Sequence, residues 1–170
     1  MKKIRKMLSL ICALTLMFGG SNAFAAANEV HELVPVPPVD SEIMPFGTDY
    51  PTVSKPTYDL SSETYSYDCK EIMSTLYTDA WFKGSSTMVV KIQNYKCTSN
   101  PEFGGGSITV RVYNTHNEVV KTKTVDMALT TSATVDFSGL KAGSKYFVSF
   151  SVGGGLGYKY SFYGTISNWI

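Results

Sequence analysis

The chain has 170 residues, 13% aromatic and 17% charged, with 15 Lys and Arg against 14 Asp and Glu. That balance supplies no dense basic face for nucleic acid or an anionic surface, and the length suits one domain with one core. No apolar run reaches the roughly 20 residues that a membrane-spanning helix needs.

Lys2, Lys3, Arg5 and Lys6 precede an apolar run from Met7 to Phe18, and Ala23-Phe24-Ala25 follows as a small-x-small step. This is the grammar of a secretory signal peptide over residues 1–25, with cleavage expected after Ala25 and Ala27 as the alternative. Cys12 is not expected to be lipidated, because Ser9-Leu10-Ile11 places no small residue beside it. Loss of the leader leaves 11 basic residues against 14 acidic ones, a charge of about −3. It also leaves Cys69 and Cys97 as an even pair. In an exported chain such a pair reads as a disulfide, worth about 3–4 kcal/mol by loop closure. The alternative is two thiols that never meet. His31 and His116 are both remote from the cysteines in sequence, so no metal and no cofactor is expected.

Residues 26–57 carry Pro35, Pro37, Pro38, Pro45, Pro51 and Pro56. Proline fixes φ and removes a donor, so this stretch reads as an extended linker or pro-segment. Its Val34, Val36, Ile43, Met44 and Phe46 leave open that part of it docks on the domain. Residues 66–73 read as a helical turn or two. From about Tyr58 the pattern changes to period two, with alternation at 76–82, 88–93, 108–113, 119–125, 133–137, 146–152 and 158–166, separated by Gly, Asn and Ser turns. Alternation means one buried and one wet face. About seven such strands predict an all-β domain over residues 58–170, a single antiparallel β-sandwich of immunoglobulin-like or jelly-roll-like form.

The stretch Leu140-Lys141-Ala142-Gly143-Ser144-Lys145-Tyr146-Phe147-Val148 resembles the tyrosine corner of fibronectin type III domains. It also resembles the end of bacterial pre-peptidase C-terminal domains, with Gly164-Thr165-Ile166 as the closing step. The resemblance spans roughly Ser132 to Ile166. It implies that Leu140 plugs the core, Gly143 allows the turn and Tyr146 makes the corner bond. Trp81 and the cysteine pair depart from the fibronectin pattern. Such a fold does not decide function.

Chemistry is sparse. A nucleophile needs a base beside it, yet His31 lies among prolines and His116 in a hairpin turn, and there is no Gly-x-Ser-x-Gly elbow. Asp79, Asp126 and Asp136 are the carboxylates that could pair as in a glycosidase. Residues 59–63 and 114–118 are thin candidates for calcium. The glycine runs at 104–106 and 153–157 precede strands rather than helices, so they read as hairpin connections, not phosphate cradles. Tyr77, Trp81, Tyr113 and Tyr163 fall on the wet parity. Such rings either stack on sugars or cover a sheet face. Trp81, Tyr113 and Tyr163 are the candidate ligand platform.

The expectation is therefore a non-enzymatic, exported binding or surface module for polysaccharide or cell-envelope material. Its partner would be a glycan or an extracellular protein. The alternative is a secreted structural or protein-interaction protein without a small ligand, and a third is an enzyme with a site of scattered Asp and Tyr. The chain ends Ser167-Asn168-Trp169-Ile170 without a sorting tail, so release, or noncovalent retention at the envelope, is expected.

Overall fold

The computed structural model describes residues 50–103, 106–153 and 157–168, and the backbone of 30–33. The leader, its cleavage step, Cys12 and most of the proline-rich segment lie outside the described residues. Among those described there is no helix, only eleven strands.

In chain order these are β1 Val30–Leu33, β2 Thr57–Asp59, β3 Tyr65–Ile72, β4 Thr75–Tyr77, β5 Trp81–Lys83, β6 Thr87–Cys97, β7 Ser107–Tyr113, β8 Val119–Asp126, β9 Ala133–Ser138, β10 Lys145–Gly153 and β11 Tyr160–Ser167. They form two sheets, ordered β1-β3-β11-β6-β9 and β2-β5-β10-β7-β8, with β4 also on β10. The facing side chains of both sheets make one hydrophobic cluster. Tyr67, Ile92, Phe137 and Phe162 come from the first sheet, and Phe82, Val110, Val148 and Phe150 from the second. Alternation explains the assignment. On β10, Tyr146, Val148 and Phe150 enter this cluster, while Phe147 and Ser149 point the other way.

Not every pairing is antiparallel. β1 runs parallel to β3 and β2 parallel to β5. Both parallel strands come wholly or partly from the proline-rich segment, so that segment joins the fold in two places. Both sit at sheet edges, where proline-adjacent chain can pair on one side only.

Residues 66–73 are not helical: 66–72 lie in β3 and Met73 begins the bend that follows it. Tyr65, Cys69 and Ile72 are all buried, and their spacing imitates a helical stripe. The cause is a bulge. Tyr160 pairs with Ile72 and Phe162 with Cys69, so β3 carries one extra residue there, and Glu71 takes φ 52°. A bulge shifts the burial phase by one residue.

The strand expected at 76–82 is broken into β4 and β5, yet Leu76, Thr78, Ala80 and Phe82 are all buried. Thr78 bridges the break. Its N–H donates to the Val148 carbonyl at 2.9 Å, and its hydroxyl accepts from Val148 N–H at 3.1 Å. A side-chain oxygen thus takes the place of a ladder carbonyl.

Between β9 and β10, Leu140 is buried and Gly143 takes φ 77°. The Tyr146 hydroxyl accepts from the Lys141 N–H at 2.8 Å and donates to its carbonyl at 3.3 Å. In the immunoglobulin pattern the strand after the corner strand stays in the same sheet. Here β11 crosses to the other sheet and lies between β3 and β6.

Candidate functional site

A cleft of about 900 Å³ opens beside the end of β6. Its walls come from the end of β6, the loop after it, and the β8–β9 connection: Tyr95, Pro101, Phe103, Met127, Leu129 and Thr131 among them. A second bulge creates it. Ser161 pairs with Lys96 and Tyr163 with Gln93, so β6 has an extra residue opposite Phe162. Asn94 takes φ 53° to make it. Before the bulge, Met88, Val90 and Ile92 are buried in the core; after it, Tyr95 and Cys97 are.

Backbone bonds pin the walls. Tyr95 N–H donates to the Thr131 carbonyl at 2.8 Å, and Met127 N–H to the Gly106 carbonyl at 2.8 Å. The Asp126 carboxylate accepts from Ala128 N–H at 2.9 Å. Leu129, fully exposed, stands on the rim. Phe103 stacks on Tyr158 with centroids 4.6 Å apart.

Behind the Tyr95 wall the core leaves two hydroxyls unpaired. Tyr95 stacks on Tyr160 at 5.2 Å, and both hydroxyls are buried with no hydrogen-bond partner. An unpaired buried hydroxyl costs roughly 1–3 kcal/mol, and in native proteins such a group calls for an explanation. Burial, helped by Tyr160 and Cys97, raises the pKa of the Tyr95 hydroxyl. It therefore stays an O–H, able to donate. Gly106 lies against it: a Cβ there would come within 2.7 Å of the Tyr95 oxygen.

The expected platform does not assemble. Trp81 and Tyr113 lie on the outer face of the second sheet but are buried, 6% and 7% exposed. They form a separate cluster with Phe147, packed over by Tyr50 and Tyr77. The Trp81 indole N–H donates to the Thr52 carbonyl at 3.0 Å, so the end of the proline-rich segment straps the face that parity left wet. Tyr163 is 46% exposed, but on β11 in the other sheet.

The expected disulfide is corrected. Cys69 and Cys97 are buried free thiols. Cys69 pairs with Phe162 on one side of β11, and Cys97 with Tyr160 on the other. A whole strand separates them, roughly 9.5 Å at two strand spacings, beyond the reach of a disulfide. Burial pushes the Cys69 thiol pKa up, and Asp68 adds to this, so it behaves as a small core hydrophobe. Titration of the unfolded, unreduced chain of residues 26–170 with a thiol reagent is expected to give two thiols per molecule. A value near zero would restore the bridge.

Asp79, Asp126 and Asp136 sit on three different elements: the β4–β5 break, the end of β8, and β9. Asp79 accepts from the Tyr65 hydroxyl at 2.7 Å. His116 is exposed in the β7–β8 turn, its N–H bonded to Asn114 Oδ1 at 2.8 Å. The oxygens of the two calcium candidates serve their own turns: Asp59 holds Ser61, and Asn114 holds His116 and Glu118. Among the described residues no three His, Cys, Asp or Glu side chains cluster as metal ligands. No helix there is long and apolar enough to cross a membrane.

A scan against protein-family models, a search of curated proteins and a search of solved structures each found no match.

Proposed function

We propose that the protein is an exported, non-catalytic binding module, folded as a β-sandwich with an immunoglobulin-like corner, that takes a segment of glycan or envelope material into the cleft beside the end of β6. The observation that carries this reading is a cleft of about 900 Å³ lined in part by Tyr95, whose hydroxyl is buried behind the wall without a partner. That volume lies in the range of small-ligand sites, which join apolar walls to a few polar groups. Pro101, Phe103 and Leu129 offer apolar surface to the C–H faces of sugar rings. Thr131 offers an exposed hydroxyl. The Gly106 backbone shields the Tyr95 oxygen, so a ligand that bonds this oxygen has to displace it.

The test is retention of the purified chain on soluble and insoluble glycans, envelope polymers included, beside Tyr95→Phe and Tyr160→Phe. Both variants remove an unpaired hydroxyl and are expected to melt at or slightly above wild type, by up to about 1 kcal/mol. Only Tyr95→Phe is expected to weaken retention, by roughly tenfold, the worth of one hydrogen bond. Equal retention by both variants would remove Tyr95 from the site. No retention of wild type on any polymer would favour the protein-interaction alternative, for which the bare Leu129 on the rim is the contact to examine.

A further inference from the structure

The outer face of the second sheet carries two neighbouring sets of groups. At one end Tyr113 and Phe147 stack flat, with centroids 4.7 Å apart and planes at 4°. Tyr77 stands 5.9 Å from Tyr113. At the other end Arg111, two residues before Tyr113 on β7, donates from Nη1 to Ser151 Oγ at 2.7 Å, and Ser151 is bonded to Thr75 at 2.7 Å. Between them Ser149, paired across the ladder with Arg111, reaches the Tyr113 hydroxyl at 3.5 Å. Among the described residues no carboxylate forms an ion pair with Arg111. One face thus carries, on either side of Ser149, a group of rings and a half-buried guanidinium held by the Ser151 hydroxyl, with no carboxylate paired to it among the described residues.

One further ring covers the aromatic end. Tyr50 lies 4.9 Å from Tyr77, 5.2 Å from Phe147 and 6.0 Å from Tyr113. The chain that carries it is held by the Trp81 side chain on Thr52 and by Trp81 N–H on the Pro56 carbonyl at 2.9 Å. Thr52 to Pro56 are exposed throughout, Val53 at 96%. A six-membered ring thus already occupies the slot, presented by a strap that is exposed from Thr52 to Pro56 and buried at Pro51.

We propose that this face is a second binding site, for a hexuronate unit of a glycan, and that Tyr50 holds it closed. The sugar ring replaces the Tyr50 ring on Tyr77, Tyr113 and Phe147, and its carboxylate meets Arg111, whose fork suits bidentate pairing. One arginine reading one carboxylate needs no dense basic field, so the acidic balance of the mature chain does not oppose it. Closure lowers the apparent affinity by the fraction of molecules that are open. The inference extends the glycan reading to a separate surface, and the cleft variant Tyr95→Phe keeps the two apart.

The experiment is titration of the full chain with trigalacturonate, and with maltotriose as the neutral counterpart. Tyr50→Ala is expected to bind trigalacturonate at least tenfold tighter than wild type. Adding Arg111→Gln should abolish the gain, and Tyr95→Phe should leave it intact. Should Tyr50→Ala melt early, wild type at millimolar trigalacturonate carries the test. Its near-UV circular dichroism should change as Tyr50 leaves the aromatic cluster, and Arg111→Gln should not respond. No gain in Tyr50→Ala together with no wild-type response, or an equal gain for maltotriose, would overturn the proposal.

Discussion

Replacing Gly164 with alanine is expected to lower the melting temperature by roughly 10 °C, the consequence of about 3 kcal/mol in a domain of this size. Gly164 lies in the middle of β11, paired with Tyr67 on β3 and with Ile92 on β6. The Tyr67 side chain reaches across this position, and its hydroxyl donates to the Lys91 carbonyl on β6 at 2.7 Å. A Cβ at 164 would collide with the Lys91 carbonyl and come within 2.8 Å of the Tyr67 oxygen. Neither can yield cheaply, since one is ladder backbone and the other a fully buried ring. Only glycine admits such close approach within a strand. Tyr67→Phe removes the bond without the collision and should cost only about 1 kcal/mol. Thermal unfolding of the two variants decides. If Gly164→Ala melts with wild type, the two flanking strands are not fixed as described.

The alternation of the sequence carries most of the second sheet and half of the first. Ile108, Val110 and Val112, or Val135 and Phe137, announce their buried face by period alone. What period two cannot announce is its own interruption. At Asn94 and at Glu71 one extra residue enters a strand on either side of β11, and the burial phase changes. In β3 that change made a strand look helical. In β6 it hid Tyr95 and Cys97, two of the residues that line the cleft. A signal was present: Met88, Val90 and Ile92 are even-numbered, Tyr95 and Cys97 odd, and the residue between the phases is an asparagine, a side chain that tolerates the left-handed region. The partnerless hydroxyl of Tyr95 had no counterpart in the sequence, because it depends on what the chain fails to bring near. The cysteine pair was misread for a related reason. An even count says nothing of which strand lies between, and β11, late in the sequence, fills the gap.

Trp81→Ala is expected to cost about 3–5 kcal/mol, as a large-to-small change at a buried aromatic does, and this loss sets how any binding result on Trp81 must be read. The tryptophan stands on the wet parity of β5, and sequence alone makes it the first choice for a ligand platform. In the fold its ring meets Phe147 edge-on at 5.4 Å and 90°, and its indole nitrogen holds Thr52. Alanine would leave a cavity beside Phe147 and release the strap from its side-chain tie. Trp81→Phe keeps most of the packing and loses the tie, so it should cost closer to 1 kcal/mol. Urea unfolding separates the two expectations, with the midpoint for Trp81→Ala falling well below that for Trp81→Phe at an unchanged slope. If both variants unfold with wild type, the indole is not part of a packed cluster, and the outer face is an open platform after all. If they separate as expected, loss of glycan retention in Trp81→Ala would report lost structure, and the informative variants for recognition are Tyr95→Phe in the cleft and Arg111→Gln on the strapped face.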